Sequence, residues 1–251
     1  MQRSFESGPT PGRRGGALAL VAAVAIVTGG CTKEAENRVQ SIYDLRRDPS
    51  PANLEQIRAA LTDPNPQVRV TAMFTLVTAE VPDGKDIALA GLVDPDGFVR
   101  MTAAMLLGEF PDPSLSGPLA ARVEHDPDAH VRHRAAEALG RTGGEEAARG
   151  LAIGLSDPIK SVRLASVVAV AQLGPAPYVD RLRKLATDDP EWEVRVQAVR
   201  ALGTAGDPAA LPEIDNALRD PSEFVRAAAA FARKRVVERP AGSAPTESPG
   251  S

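Results

Sequence analysis

Apolar residues recur along most of this 251-residue chain with helical spacing, in a register that repeats every 31 or 32 residues. Each repeat carries the pattern Asp-Pro-x-x-x-Val-Arg, which begins at Asp63, Asp94, Asp126, Asp157, Asp189 and Asp220. Counted from the aspartate, a valine stands at offset 5, a small residue at offset 9 and, in five copies, an aliphatic residue at offset 13. These offsets fall on one face of an α-helix. The pattern predicts an apolar stripe with a narrow waist, where a neighbouring helix approaches closely.

Residues beside the stripe predict where this helix begins and ends. Aspartate is favoured as a helix N-cap and proline at the first helical position, so we expect the helix to begin at the Asp-Pro pair. Glycine recurs at offsets 14 and 17, where we expect it to supply the positive φ of a helix end. These glycines are Gly108, Gly140 and Gly203 at offset 14, and Gly143, Gly174 and Gly206 at offset 17.

A second apolar helical run follows in each unit, as in residues 145–155 and 176–186. Four units place a leucine two residues before the next aspartate. In the two 32-residue units this leucine register is displaced, which predicts that the extra residue lies in the loop before Asp126 and Asp189.

Two helices of this length cannot bury their own apolar faces, so each unit is stable only when stacked on its neighbours. The chain is rich in alanine, and no segment alternates apolar and polar residues as a strand does. The predicted fold is therefore an all-α solenoid of six helical hairpins. The motif resembles the HEAT-like repeats named after phycobilin lyases, over residues 63 to about 236, with degenerate copies reaching back to about Glu36 as an N-terminal cap.

This resemblance implies a structural role for the recurring charged residues. In the family, the arginine of one unit and the aspartate of the next commonly form an electrostatic ladder. Carried to this chain, the ladder comprises the six aspartates of the motif and six arginines: Arg69, Arg100, Arg132, Arg163, Arg195 and Arg226.

The two ends of the predicted solenoid, residues 36–238, differ from its middle. At the C-terminus Arg233 replaces the aliphatic residue of offset 13, and the run RKRVVER predicts a final helix with a polar, exposed face. Residues 239–251 contain no large apolar residue, which is typical of a disordered tail.

The N-terminus has the pattern of an export signal. Arg3, Arg13 and Arg14 precede the apolar run of residues 17–27, which is too short to span a bilayer, so residues 1–30 are predicted to be a signal peptide. The sole cysteine, Cys31, follows two glycines in an arrangement that resembles the lipobox of bacterial lipoproteins, and the resemblance implies acylation of Cys31. Residues 31–35 would then form a lipid tether. Thr28 departs from the aliphatic residue usual in that motif, so secretion without a lipid stays an alternative.

Charge argues against nucleic acid as a partner. Without residues 1–30 the chain carries 26 basic and 32 acidic side chains, a net charge of −6, whereas phosphate binding requires a basic surface. The expected location is the cell envelope. Thr32 follows the cysteine in place of the aspartate that retains many lipoproteins in the inner membrane, which favours the periplasmic side of an outer membrane where the cell has one.

All three histidines lie within nine residues, at His125, His130 and His133. On a helix, residues three apart share a face, so His130 and His133, with His125 in the preceding loop, are candidate zinc ligands. The alternative is that the histidines are solvent-exposed side chains that bind nothing, because His130 occupies a position that other units fill with Gln, Phe, Ser or Glu. We favour the second interpretation and expect no metal or other cofactor.

No catalytic motif accompanies the repeats. A phosphate-binding loop, a nucleophile elbow and a zinc-protease helix are all missing, and the His-Glu pairs that hold iron in deoxyhypusine hydroxylases do not occur. We therefore expect a non-enzymatic scaffold, anchored by lipid, that binds another protein or peptide. An accessory or metal-dependent enzyme related to HEAT-repeat lyases is the alternative.

Two sets of variable residues are candidate contacts for that protein. Arg181, Arg183 and Lys184 form a basic cluster on a second helix. Phe98, Trp192 and Phe224 lie near the starts of first helices, where they would form an apolar edge. A solvated charged face and packing between repeats are the respective alternatives.

Overall fold

The computed structural model describes residues 32–238, and within this range it contains thirteen α-helices, four short 3₁₀ helices and no strand. The first helices of the units are α1 (Lys33–Leu45), α3 (Pro66–Thr78), α5 (Gly97–Leu107), α7 (Ala129–Thr142), α9 (Lys160–Leu173), α11 (Trp192–Ala205) and α13 (Glu223–Val237). The second helices are α2 (Pro51–Ala59), α4 (Gly84–Gly91), α6 (Ser116–His125), α8 (Gly144–Gly154), α10 (Val179–Asp188) and α12 (Leu211–Ala217). The predicted signal peptide, Cys31 and the predicted disordered tail lie outside the described residues.

Helices of neighbouring units stack on one another. Each first helix contacts the next first helix, from α1 through α13, and each second helix contacts the first helix of the following unit. One apolar cluster extends from α3 to α13, and a smaller cluster lies beneath the N-terminal helices; Leu61 and Ile87 pack against both. The predicted all-α solenoid is confirmed.

The predicted apolar stripe is buried throughout the solenoid. The valines at offset 5 are at most 3% exposed, and the small residues at offset 9 are completely buried. A Cβ built on Gly91 of α4 would lie 2.9 Å from the Cβ of Ala103, the offset-9 residue of the following unit. The narrow waist therefore receives the second helix of the preceding unit, as the spacing predicts.

The first helices do not begin at the Asp-Pro pair, so that expectation is wrong. They begin three residues after the aspartate, and the residue at offset 2 occupies the N-cap. In all six units the aspartate carboxylate instead accepts the backbone N–H at offset 2, as Asp63 does from Asn65 at 2.8 Å. The aspartate thereby closes a turn ahead of the helix, with the proline inside that turn.

The offset-14 glycines do not supply the positive φ expected at a helix end. Gly140 and Gly203 lie inside α7 and α11, and Gly108 is the C-cap of α5 but has a right-handed φ of −63°. Of the two predicted sets, only the offset-17 glycines have positive φ, for example 67° at Gly206, which closes α11. The offset-14 glycines serve close packing instead, because a Cβ on Gly203 would lie 2.7 Å from the Cα of Ala232 on α13.

The extra residue of the 32-residue units lies in the second helix, not in the loop. In these units α6 and α10 run directly to the next aspartate, whose N–H donates to a carbonyl four residues back. In the 31-residue units the corresponding N–H reaches only three residues back, as in Asp94 to Gly91. The longer units therefore end in an α-helical turn and the shorter ones in a tighter turn.

Both ends of the solenoid differ from the expectations. Helix α1 begins at Lys33, with Thr32 capping it through a bond from the N–H of Ala35, and Ala35 is buried. Residues 33–35 therefore belong to the solenoid and not to a tether. At the other end Arg233 pairs with Asp215 at 2.7 Å, but Phe231 is 63% exposed, so the last helix is not uniformly polar.

Candidate functional site

The recurring arginines and aspartates form a continuous ladder along one edge of the solenoid. The Nε and Nη2 atoms of Arg69 donate to the two carboxylate oxygens of Asp94 at 2.9 and 2.7 Å. The same two-bond contact joins four further pairs: Arg100 with Asp126, Arg132 with Asp157, Arg163 with Asp189, and Arg195 with Asp220. Paired bonds of this geometry fix orientation as well as distance.

Each arginine also holds the turn of its own unit. The Nη1 atom of Arg132 donates to the carbonyls of Asp126 and Pro127 at 3.0 and 3.3 Å, and the other five arginines make the same contacts. In every unit but the last, one guanidinium thus connects its own turn to the turn of the next unit. These groups are engaged in building the solenoid.

The ladder is buried unevenly. The carboxylates of Asp126 and Asp189, at the ends of the two longer units, are 0% and 2% exposed, whereas that of Asp94 is 14% exposed. Burial opposes ionisation of Asp126, but the bonds from Arg100 and from the N–H of Asp128, together with the charges of Arg100 and Arg122, lower the pKa of this carboxyl. Arg122 adds a second cation 3.5 Å from the same carboxylate.

Two further arginine–aspartate contacts lie outside the Asp-Pro-x-x-x-Val-Arg pattern, one on the ladder and one between second helices, and sequence reasoning missed them. Arg38 of α1 donates to both carboxylate oxygens of Asp63, and Arg58 of α2 donates to Asp83. Arg38 lies 31 residues before Arg69, which is the repeat interval and the signal that could have identified it. The N-terminal cap is therefore a degenerate unit that keeps the ladder arginine.

The structure does not bring the three histidines into one site. His125 is the last residue of α6 rather than a loop residue, and its ring lies 3.6 Å from Glu124. The backbone N–H of His130 donates to the N-cap carboxylate of Asp128, and this histidine is exposed. Within residues 32–238, no group of three or more His, Cys, Asp or Glu side chains is placed to hold a metal ion.

His133 links two neighbouring first helices. Its Nδ1 atom donates to the carbonyl of Ser161, in the first turn of α9, at 2.9 Å, and Nε2 lies 3.4 Å from Glu137. The bond to Glu137 raises the pKa of His133. Burial opposes ionisation of Glu137, but bonds from His133 and Arg134 lower its pKa to about 2. These two side chains also line a shallow groove of about 210 Å³ between α7 and α9.

The predicted basic cluster is partly engaged. Arg183 donates to Glu213 of α12 at 2.8 Å and so connects two second helices. Arg181 and Lys184 are exposed on α10. Only these two residues of the predicted cluster are available to a binding partner.

The three predicted aromatic residues do not form one edge. Phe98 is half-buried against the core. Trp192 and Phe224 stack on each other with ring centroids 4.9 Å apart, and they remain 40% and 56% exposed. The exposed pair lies at the C-terminal end of the solenoid, and sequence spacing alone did not predict this stack.

None of the helices in residues 32–238 is long and apolar enough to cross a bilayer.

Comparison with known proteins gives relatives of the same architecture. A curated relative, the uncharacterized phycocyanin operon protein Z of Pseudanabaena tenuis, is 27% identical over 194 residues, which is 73% of this chain and 95% of the relative. A crystal structure of an Escherichia coli protein, YibA, is 19% identical, covers 84% of this chain and 79% of its own, and superposes with a TM-score of 0.56. An engineered protein with 20% identity, covering 73% and 98% of the two chains, also gives 0.56. At these identities the structures show a shared fold.

A model of HEAT repeats matches residues 54–140, 86–171 and 148–233. These matches cover the solenoid from α2 to α13 and well over half of the chain. The chain belongs to the HEAT-repeat family.

Proposed function

We propose that this chain is a non-enzymatic scaffold that binds another protein at the cell envelope. The observation that carries the proposal is the engagement of the recurring charged residues by the solenoid itself. In the five contacts from Arg69 to Asp220, every side chain is at most 14% exposed and is bonded to its partner. Groups held in this way are poor candidates for acid–base catalysis, while the variable positions of a solenoid form an extended surface suited to a protein or peptide.

The test of this proposal is affinity purification of the full chain from detergent-solubilised membranes, with quantitative mass spectrometry. We expect one protein to be recovered at a constant ratio to the chain. A double variant, Arg181→Glu with Lys184→Glu, is the matched comparison for the exposed basic residues of α10, and lower recovery would assign the contact to that helix. No protein above background, or catalytic turnover by the purified chain alone, would contradict the scaffold.

We also propose that a lipid on Cys31 holds this scaffold at the membrane. A single residue, Thr32, separates Cys31 from the first helical residue, Lys33. Acylation at Cys31 would therefore place the N-terminal end of the solenoid against the bilayer and direct the repeats away from it.

Cys31→Ala tests the anchor. We expect the wild-type chain in the membrane fraction, with an intact mass that corresponds to an acylated chain starting at Cys31, and the variant in the soluble fraction or retained as precursor. An unacylated, water-soluble wild-type product would show that the lipid is not attached. Separation of inner from outer membranes would test the outer-membrane location.

A second candidate, an accessory role related to the lyases of this family, is favoured by one relative. The curated relative from Pseudanabaena tenuis is named after a phycocyanin operon. If the chain bound a bilin, the chromophore of phycocyanin, the absorption spectrum of added bilin would shift when it is mixed with the purified protein. We expect no shift, because we expect the solenoid to bind a protein.

A further inference from the structure

The last first helix, α13, exposes a position that every preceding unit buries. At offset 10 the five earlier units place residues that are at most 2% exposed: Met73, Ala104, Ala136, Val167 and Val199. The sixth, Ala230, is exposed, as is Ala227 at offset 7. We call Arg226, Ala227, Ala230 and Lys234 the open face; these residues occupy offsets 6, 7, 10 and 14 of the last unit.

Arg226 on this face is already positioned as a ladder residue. Its Nη1 atom donates to the carbonyls of Asp220 and Pro221 at 2.8 and 2.9 Å, as in the other five units. In those units the Nε and Nη2 atoms bind the next aspartate. Within residues 32–238 no carboxylate lies within ion-pair distance of Arg226, so the edge of the guanidinium that normally binds aspartate faces outward at the end of the solenoid.

The opposite end of the solenoid does not complement this face. Arg38 occupies the ladder position of the N-terminal unit and pairs with Asp63. The residue at the aspartate position of that unit is Thr32, whose hydroxyl caps α1. A second copy stacked head to tail would therefore offer Arg226 no aspartate in register, and such stacking would continue without closing.

We propose that the open face docks a different protein, which supplies a carboxylate to Arg226 from the turn before a helix. This inference rests on the scaffold function proposed above and names the surface that performs it. Charge complementarity selects the partner: the guanidinium edge matches a carboxylate in two-bond geometry. Lys234 adds a cation where three internal units have the glycine that allows close approach. The partner is accordingly an acidic helix or hairpin and not a further copy of this repeat.

Exposed aromatic side chains border the open face and would enlarge the contact. Phe224 and Phe231 lie seven residues apart on α13, on one side of the helix, and are 56% and 63% exposed. Aromatic residues beside an arginine are typical of the residues that dominate binding energy at protein interfaces. A partner helix with small apolar residues opposite Ala227 and Ala230 would also cover these two phenylalanines.

The experiment is photo-crosslinking of the full chain in its own cells, with benzoylphenylalanine in place of Ala230. The matched control carries the same probe at Ala171, an exposed alanine on α9 in the middle of the solenoid. We expect the Ala230 probe to capture a polypeptide of different sequence, with the cross-link within one helical turn of an Asp or Glu. Arg226→Glu in the probe-bearing chain should lower the yield about tenfold, because it places like charges across the contact.

Several results would overturn this assignment. One is the absence of an adduct at Ala230, or a yield there no higher than that of the Ala171 control. Another is an adduct to a second copy of the chain or to residues 239–251 of the same chain. The last is a yield that Arg226→Glu leaves unchanged. A third probe at Ile153, exposed on α8, separates this proposal from the scaffold function. Capture there and not at Ala230 would leave the scaffold standing and refute the open face.

Discussion

Each internal arginine of the ladder performs two tasks that lysine cannot combine. Arg163, for example, donates two bonds to Asp189 in the next unit and two to the carbonyls of Asp157 and Pro158 in its own turn. Four bonds in fixed directions require the planar, five-donor guanidinium. This explains why arginine is invariant at offset 6 of all six units, while the neighbouring offset 4 carries a different chemistry in almost every unit.

Uneven burial along the ladder predicts unequal costs for removing its charges. Asp126→Asn leaves Arg100 buried without its counter-charge, so we expect a loss of about 3–5 kcal/mol in the free energy of unfolding. Asp94→Asn, in a contact partly open to water, should cost less. Urea unfolding followed by circular dichroism measures both values. Equal losses would show that burial does not govern the strength of these contacts.

The contact between His133 and Glu137 predicts a pH dependence. The pKa of His133 is raised above its ordinary value of 6.5. The contact with Glu137 therefore contributes fully to the free energy of unfolding below pH 6.5, where His133 is charged. This contribution is lost as the pH rises through the pKa of His133 in the folded state. NMR titration of the ring should give a pKa above 6.5 in the wild type and a lower one in Glu137→Gln. A wild-type pKa at or below 6.5 would contradict the contact.

At the scale of helices, glycines are the positions at which neighbouring first helices approach most closely. Gly108, Gly140 and Gly203 each face an alanine of the next first helix. Sequence reasoning assigned these glycines to helix ends because glycine serves both purposes and the two positions lie only three residues apart. A lone sequence contains no signal that separates a glycine needed for φ from a glycine needed for space.

This packing role predicts opposite effects for two identical substitutions. Gly203→Ala places a Cβ 2.7 Å from the backbone of Ala232, so we expect destabilisation by about 1–3 kcal/mol despite the better helix propensity of alanine. Gly117→Ala, in α6 with nothing within 4 Å, should stabilise the protein by up to about 1 kcal/mol. Thermal or urea unfolding of both variants provides the comparison. Stabilisation by Gly203→Ala would refute the close contact.

Helix boundaries were harder to predict than helix identities. Aspartate is a common N-cap, yet the carboxylate of Asp126 binds the N–H two residues on and the arginine of the preceding unit. The N-cap position moves to offset 2, which is Asp128 in this unit. The arginine comes from another unit, so propensity within a single unit cannot reveal it. The position of the extra residue before Asp126 is likewise beyond such a prediction, because a leucine register cannot distinguish a longer loop from a longer helical turn.

For the whole molecule, the repeat determined most of what sequence could predict. Six copies at a constant interval sufficed for the solenoid and its buried stripe, because each position is observed six times. The ends were predicted less well, since each end occurs once. The roles of end residues depend on whether a neighbouring unit is present to contact them, which only the stacked structure shows. Such residues are Thr32, Arg38 and Arg226.

A ladder arginine inside the solenoid holds two units together, whereas the same residue at the open end does not. The most direct test is the free energy of unfolding of Arg195→Gln and Arg226→Gln, identical substitutions at equivalent positions of adjacent units. We expect Arg195→Gln to lose about 2–3 kcal/mol, because Asp220 is left nearly buried without its cation. Arg226→Gln should lose less than about 1 kcal/mol, since only exposed bonds are removed. Equal losses from the two variants would contradict the distinction.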